Sequence, residues 1–217
     1  MNFEQARFNM IEQQIRPWDV LNTDILDLMA SLPREEFVPE GYRELAYADI
    51  SVPLNDKHAM MPPRVEARIL QALKIRADDK ILEVGTGSGF LTALLAKSGQ
   101  HVYSVDISPE LSAKAQANLD KQNIKNVTLE VGDASKGWSK YAPYDVIVIT
   151  GAMAEFPTAF LDSLQRAGRV FTIVVTAPVM EAKLFTRIGE SELREEALFE
   201  TDVPLLENAE PAPQFLF

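Results

Sequence analysis

Residues 80–97 read KILEVGTGSGFLTALLAK, and this stretch decides the fold. Lys80 to Val84 is a short run dense in apolar residues, of the kind a strand buried on both faces carries. Gly85-Thr86-Gly87-Ser88-Gly89 breaks it, and Phe90 to Lys97 resumes with helical character. A strand, a glycine-rich turn and a helix form the first half of a β-α-β unit. The chain downstream repeats that grammar. His101 to Asp106 is a second strand, and Ser108 with Pro109 and Glu110 opens a helix to about Gln122. Val127–Val131 and Asp145–Thr150 are the third and fourth strands, Phe156–Leu164 a helix, and Arg169–Val175 the fifth strand. Strands alternating with helices predict right-handed crossovers and a mostly parallel sheet covered on both faces. Ala182–Ile188 and Leu193–Val203, joined at residues 189–192, predict a closing antiparallel hairpin.

Upstream the pattern is helical and irregular. Phe3, Ala6, Phe8, Ile11 and Ile15 are spaced for one helix ended by Pro17. Asn22 or Thr23 caps a second, an irregular stretch runs from Phe37 to Leu54, and Pro62-Pro63 enter a helix to Leu73. These helices carry too few apolar residues to stand alone. Residues 1–78 are therefore expected to cap a main domain of residues 79–217, the two forming one structural unit.

Composition narrows the chemistry. The 217 residues contain no cysteine, which removes disulfides, thiolate-ligated zinc, iron–sulfur clusters and a cysteine nucleophile. His58 and His101 are the only histidines, too few for a histidine-built metal site, so no metal is expected. The net charge of −11 repels phosphate backbones, and no basic patch interrupts it. More than half of that excess lies in residues 181–217 and reads as a solvated acidic face. No run of ~18 apolar residues offers a membrane span, and residues 1–16 lack a signal-type apolar core, so a cytoplasmic protein is expected. The apolar run 211–217 is expected to pack, on its own chain or another.

The glycine spacing identifies the ligand class. A dinucleotide fingerprint needs its third glycine where Phe90 stands, and no lysine follows to make a phosphate loop. What remains is G-x-G-x-G after Glu83-Val84. Asp106 ends the next strand, 17 residues beyond Gly89, where a carboxylate can accept from both hydroxyls of a ribose. Asp133, in Gly132-Asp133-Ala134, ends the third strand and can accept from an exocyclic amino group. All three lie where open α/β sheets bind ligands, beyond the carboxyl ends of the strands.

Together E-V-G-T-G-S-G at 83–89, Asp106 and G-D-A at 132–134 resemble the S-adenosylmethionine site of class I methyltransferases. I-E-Q-Q-I-R-P at 11–17, R-E-E-F-V-P-E at 34–40, L-A-Y-A-D at 45–49 and Y-D-V-I-V-I-T at 144–150 are similar to the protein-L-isoaspartate O-methyltransferase family. The similarity runs from about residue 6 to 204. It implies a Rossmann-like α/β fold, a seven-stranded sheet with a reversed last hairpin. It implies S-adenosyl-L-methionine as cofactor, S-adenosyl-L-homocysteine as product, and damaged proteins or peptides bearing isoaspartyl carboxylates as acceptors. Glu83, Gly85, Thr86, Gly87, Ser88, Asp106, Ile107, Asp133, Ala134 and Thr150 are the implied cofactor-binding residues.

The acceptor side departs from the family. Its segment resembles G-x-G-Q-T-I-S-x-P, whereas residues 55–63 read NDKHAMMPP, with Ala59 and Met61 at the two hydroxyl positions. Gly151 interrupts a turn the family builds from T-A-A-A, and Thr176-Ala177-Pro178-Val179 lacks its P-V-G. His58 and Met61 are the acceptor-side candidates. His58 could serve as a general base, which an amine or phenol acceptor needs and a carboxylate does not. His101 reads as structural. Two alternatives therefore stand beside the isoaspartyl reading: a paralogue methylating another small-molecule or protein acceptor, and a cofactor-binding protein without turnover. Nucleic-acid methylation is disfavoured by the charge and by the absence of a [DNS]-P-P-[YFW] segment after the fourth strand.

Overall fold

The alternation of buried residues in the central strands builds two cores. Ile81, Val102, Val146, Val148, Phe171 and Ile173 belong to one apolar cluster, and Leu82, Val84, Val105, Ile147, Ile149 and Val170 to another. Side chains of period two alternate between faces, so the parallel sheet is buried on both sides. The computed structural model describes residues 1–156, 158–176, 178–189 and 192–209. The run 211–217 lies outside them.

The helices are α1 Phe3–Met10, α2 Thr23–Ser31, α3 Pro63–Leu73, α4 Phe90–Ser98, α5 Pro109–Lys121 and α6 Ala159–Asp162. The strands are β1 Val52–Pro53, β2 Ala59–Met60, β3 Lys80–Val84, β4 His101–Asp106, β5 Val127–Val131, β6 Tyr144–Met153, β7 Leu164–Thr176, β8 Val179–Arg187 and β9 Leu193–Thr201. The main sheet has seven strands in the order β5-β4-β3-β6-β7-β8-β9. β3 to β7 are mutually parallel, and β7-β8-β9 is an antiparallel meander. The expected Rossmann-like architecture with its reversed closing hairpin is therefore present. The turn between β8 and β9 is closed by Ile188 N donating to Glu192 O, with residues 190 and 191 outside the described set.

From β3 the chain steps outward to β4 and β5, then returns to the other side of β3 as β6. That reversal is a topological switch point, and it opens a crevice beyond the carboxyl ends of β3 and β6.

Three local readings need correction. The first helix does not keep one register to Pro17. After α1 it continues as a π-helical turn, Ile11–Ile15, and a 3-10 turn, Arg16–Trp18. The wider turn places Met10 and Ile15 together in the core and leaves Phe8 58% exposed. The helix expected at Phe156–Leu164 is only the single turn of α6. Leu164 already pairs with Tyr144, because β7 starts five residues earlier than expected. Finally, the irregular stretch before Leu54 conceals a small hairpin. β1 and β2 pair antiparallel, and Asn55 organises the turn, its Oδ1 accepting from Lys57 N at 2.9 Å and His58 N at 2.8 Å.

Residues of the first 78 share the first cluster with the sheet. Met10, Ile15, Met29, Phe37, Ile69 and Leu73 pack in it beside Val148 and Phe171.

Candidate active site

The crevice at the switch point is a pocket open to solvent, bounded by the segments at the carboxyl ends of β3, β4, β5 and β6. The glycine loop forms its floor. Gly85, Gly87 and Gly89 have φ of +95°, +54° and +82°, values that favour residues without a Cβ. At Gly85 space is equally decisive, since a Cβ would collide with Thr150 Oγ1. That hydroxyl donates to Val84 O at 2.9 Å and Gly85 O at 3.0 Å, tying β6 to β3 where the strands part.

The loop is braced from two sides. Gly87 N donates to Asp106 Oδ2 at 2.8 Å, and Ser108 N to Asp106 Oδ1 at 2.8 Å. Asp106 thus fixes both the glycine loop and the start of α5, and each oxygen keeps a further lone pair for a ligand. From α5, Asn118 Nδ2 donates to Ser88 O at 3.0 Å. Thr86 and Ser88 line the cavity with Ile107, Ala134 and Thr150. Asp133 lines it too. Its Oδ1 accepts from Ser135 N at 2.9 Å and its Oδ2 from Asn208 Nδ2 at 3.0 Å. The Ser135 backbone bond is the main cause that holds this carboxyl below its ordinary range.

Glu83 belongs elsewhere. Expected to touch the ligand, it is fully buried behind the loop and is absent from the cavity lining. Position 83 points to the opposite face from the neighbouring Val84, which does line the cavity. Its Oε2 accepts from Thr92 Oγ1 at 2.5 Å and Ser104 Oγ at 2.7 Å, and Ser104 meets Thr86 Oγ1 at 2.6 Å. Its Oε1 has no partner. Burial pushes the carboxyl up to about 8 against those two hydroxyl bonds. Glu83 therefore supports the loop through a buried chain of hydroxyls.

The other wall comes from the β1–β2 hairpin, the entry to α3 and residues 204–207. Leu54, His58, Met60, Met61, Glu66 and Phe90 line it. Both acceptor-side candidates, His58 and Met61, are present. His58 Nε2 meets Glu207 Oε1 at 2.9 Å, and its Nδ1 meets Asn55 Oδ1 at 3.0 Å. An oxygen faces each ring nitrogen. The Met61 carbonyl accepts from Arg34 Nη2 at 2.6 Å.

Several lining residues carried no distinctive sequence signal. Glu66 reads as an ordinary first-turn acid of α3, yet it forms a buried ion pair with Arg34. Burial pushes Glu66 up to about 7, opposed by Arg34. The Arg34 guanidinium also lies 4.7 Å from the centroid of the Phe90 ring. Ser135 lines the cavity beside Asp133. Residues 204–207 form a strap fastened to β6, with Ala152 N donating to Pro204 O at 3.0 Å and Leu206 N to Ala152 O at 2.8 Å. Gly151 accounts for its own departure from the family turn: a Cβ there would lie 2.9 Å from the Leu206 backbone.

Comparison with known proteins gives one consistent answer. The family model described as protein-L-isoaspartate(D-aspartate) O-methyltransferase matches residues 5–208. A Koribacter versatilis protein named protein-L-isoaspartate O-methyltransferase is 35% identical over 212 residues, 97% of this chain and 95% of its own. The Syntrophobacter fumaroxidans protein-L-isoaspartate O-methyltransferase 1 is 35% identical over 170 residues, 78% of this chain and 79% of its own. A solved structure titled protein-L-isoaspartate O-methyltransferase superposes with a TM-score of 0.81 at 24% identity, covering 94% of this chain and 66% of that longer one. A Plasmodium falciparum structure, described as a putative member in complex with S-adenosyl-L-homocysteine, reaches 0.80 at 17% identity over 95% and 99%. The two structures establish the shared fold, and the sequence matches establish descent: the chain belongs to the protein-L-isoaspartate O-methyltransferase family.

Proposed function

We propose that this protein transfers a methyl group from S-adenosyl-L-methionine to the free carboxylate of isoaspartyl residues in proteins or peptides. Family membership carries the choice of acceptor, and His58, the histidine on the acceptor wall, is held between Asn55 and Glu207. An amine or phenol acceptor must lose a proton to a base, whereas an ionised carboxylate attacks without one.

The cavity fits the donor. The glycine loop presents main chain at Gly85 and Gly87 to the cavity, and each Asp106 oxygen, with one N–H partner, retains a lone pair for a ligand. S-adenosyl-L-methionine, when bound, supplies an electrophilic methyl on a sulfonium and departs as S-adenosyl-L-homocysteine. In this reading Gly85 and Gly87 border its methionine portion, Asp106 accepts from the ribose hydroxyls, and Asp133 faces the adenine amino group. Ile107 and Ala134 supply apolar walls. An acceptor carboxylate oxygen takes the methyl and no proton moves, so the protein's part is to align the partners and exclude water. Such positioning can supply ~7–11 kcal/mol of barrier reduction. Met61, where the family carries a hydroxyl, makes the acceptor wall apolar.

No helix among the described residues is long and apolar enough to cross a membrane. The reading includes a cytoplasmic setting, in keeping with a chain free of cysteine.

The test is to incubate the purified chain with methyl-labelled donor and paired isoaspartyl and normal aspartyl peptides. Label entering only the isoaspartyl peptide is expected. Tight donor binding without transfer to either would replace the proposal with a binding protein or a paralogue of other specificity.

A further inference from the structure

The hairpin that lacks the two hydroxyls carries Lys57 and His58. Lys57 Nζ lies 3.0 Å from Glu207 Oε2, and His58 Nε2 lies 2.9 Å from Glu207 Oε1. One carboxylate is thus held at both oxygens by two neighbouring residues. The arrangement is built. Asn55 Oδ1 accepts from two backbone N–H groups, which fixes it as oxygen, and it then faces His58 Nδ1 at 3.0 Å. Each ring nitrogen thus has an oxygen within hydrogen-bond distance. His58 and Glu207 line the donor cavity, while Lys57 stands exposed at its rim.

Fastening the strap does not require this clamp. Residues 204–208 are already tied down by the Ala152–Pro204 and Leu206–Ala152 main-chain bonds and by Asn208 on Asp133. Exposed ion pairs add little to stability. Such a pair is, however, cheap to exchange: an incoming carboxylate can take the place of the Glu207 carboxylate one for one.

We propose that Lys57 and His58 are the positioning residues for the acceptor carboxylate, and that Glu207 occupies their site as an internal competitor until the acceptor displaces it. The proposal deepens the carboxylate-acceptor reading and rests on it. In this arrangement Lys57 and His58 replace, in the same hairpin, the donors absent at Ala59 and Met61.

Steady-state kinetics on an isoaspartyl peptide, with calorimetry of S-adenosyl-L-homocysteine, separate the clamp from a structural strap. Lys57→Met and His58→Gln should each raise KM by about tenfold, the loss of one charge-assisted bond, and leave the Kd for S-adenosyl-L-homocysteine within about twofold. Glu207→Gln should instead lower KM, because it removes the competitor. Shifts of one sign in all three variants, or a common weakening of S-adenosyl-L-homocysteine binding, would overturn the clamp and leave isoaspartyl transfer standing. If the unaltered chain transfers no label to the peptide, the carboxylate-acceptor reading fails by itself. The clamp is still read directly by proton NMR with succinate as probe. With two histidines in the chain, the His58 ring resonance is resolvable. It should move on succinate addition, more readily in Glu207→Gln, and an unmoved resonance in both proteins refutes the site.

Discussion

Asp106 shows how one side chain serves two tasks. Its oxygens fix Gly87 and the first turn of α5 and still face the cavity. Asp106→Ala should therefore weaken donor binding by tenfold or more, as expected for losing a charged acceptor worth ~1.5–3 kcal/mol, and calorimetry measures it directly. Unchanged affinity would remove Asp106 from the site. Gly85→Ala tests the loop itself, combining a collision at Thr150 Oγ1 with strain of ~1–3 kcal/mol at positive φ. It should abolish measurable donor binding while the fold, followed by circular dichroism, persists. At this scale the sequence was legible wherever a residue type has one use. Glycines in a strand-to-helix turn and aspartates at strand ends announce themselves. Glu83 did not, because alternation along a strand turned it from the cavity into the sheet, and its place in the motif resembles a ligand's place.

The elements around the loop make their own predictions. Glu83 titrates at its ordinary 4.5 in the unfolded chain and, raised by burial, at about 8 in the folded one. Between those values the folded chain binds more protons, so this group's contribution makes stability fall as pH rises from about 4.5 to about 8. Glu83→Gln, which mimics the protonated form, should flatten that fall, leaving the smaller part due to Glu66. Urea midpoints at about pH 5 and about pH 8.5 for both proteins check it. Gly151→Ala probes the junction of β6 with the strap. Its Cβ meets the Leu206 backbone at 2.9 Å, so the strap must shift. Weaker donor binding and faster proteolysis within residues 203–209 are expected, and an unaltered digestion pattern would show that the junction yields. Strand and helix identities from Lys80 to Val131 followed from short apolar runs, the glycine-rich break at 85–89 and the helix start at Ser108-Pro109. The β1–β2 hairpin did not, because two-residue strands carry no period, and the π-helical turn after Met10 did not, because its spacing imitates an α-helix with one residue out of place.

For the molecule as a whole, topology locates the site and charge selects what reaches it. The order β5-β4-β3-β6 creates the crevice, and the glycine loop falls beside it because it follows β3, with Thr150 in the carboxyl-end half of neighbouring β6. That much could be read from the order of motifs. The strap could not, since an apolar Val203-Pro204-Leu205-Leu206 run in an acidic region says nothing about where it docks. The net charge of −11 should steer acceptors. With screening over ~8 Å at physiological ionic strength, kcat/KM for a basic isoaspartyl peptide should fall as salt is added, and that for an acidic peptide should rise. Parallel salt series on two such peptides test this, and identical slopes would show that the field does not reach the mouth.

The wall contributed by residues 204–207 also bears on how the protein is made. Lys57 and Glu207 meet across 150 positions of chain, so the ribosome delivers one partner long before the other. Sheet strands and glycine loop can assemble while synthesis proceeds from the amino end. The vestibule gains its last side only when position 207 has cleared the exit tunnel, so a nascent or prematurely terminated polypeptide holds an open trough in place of a closed one.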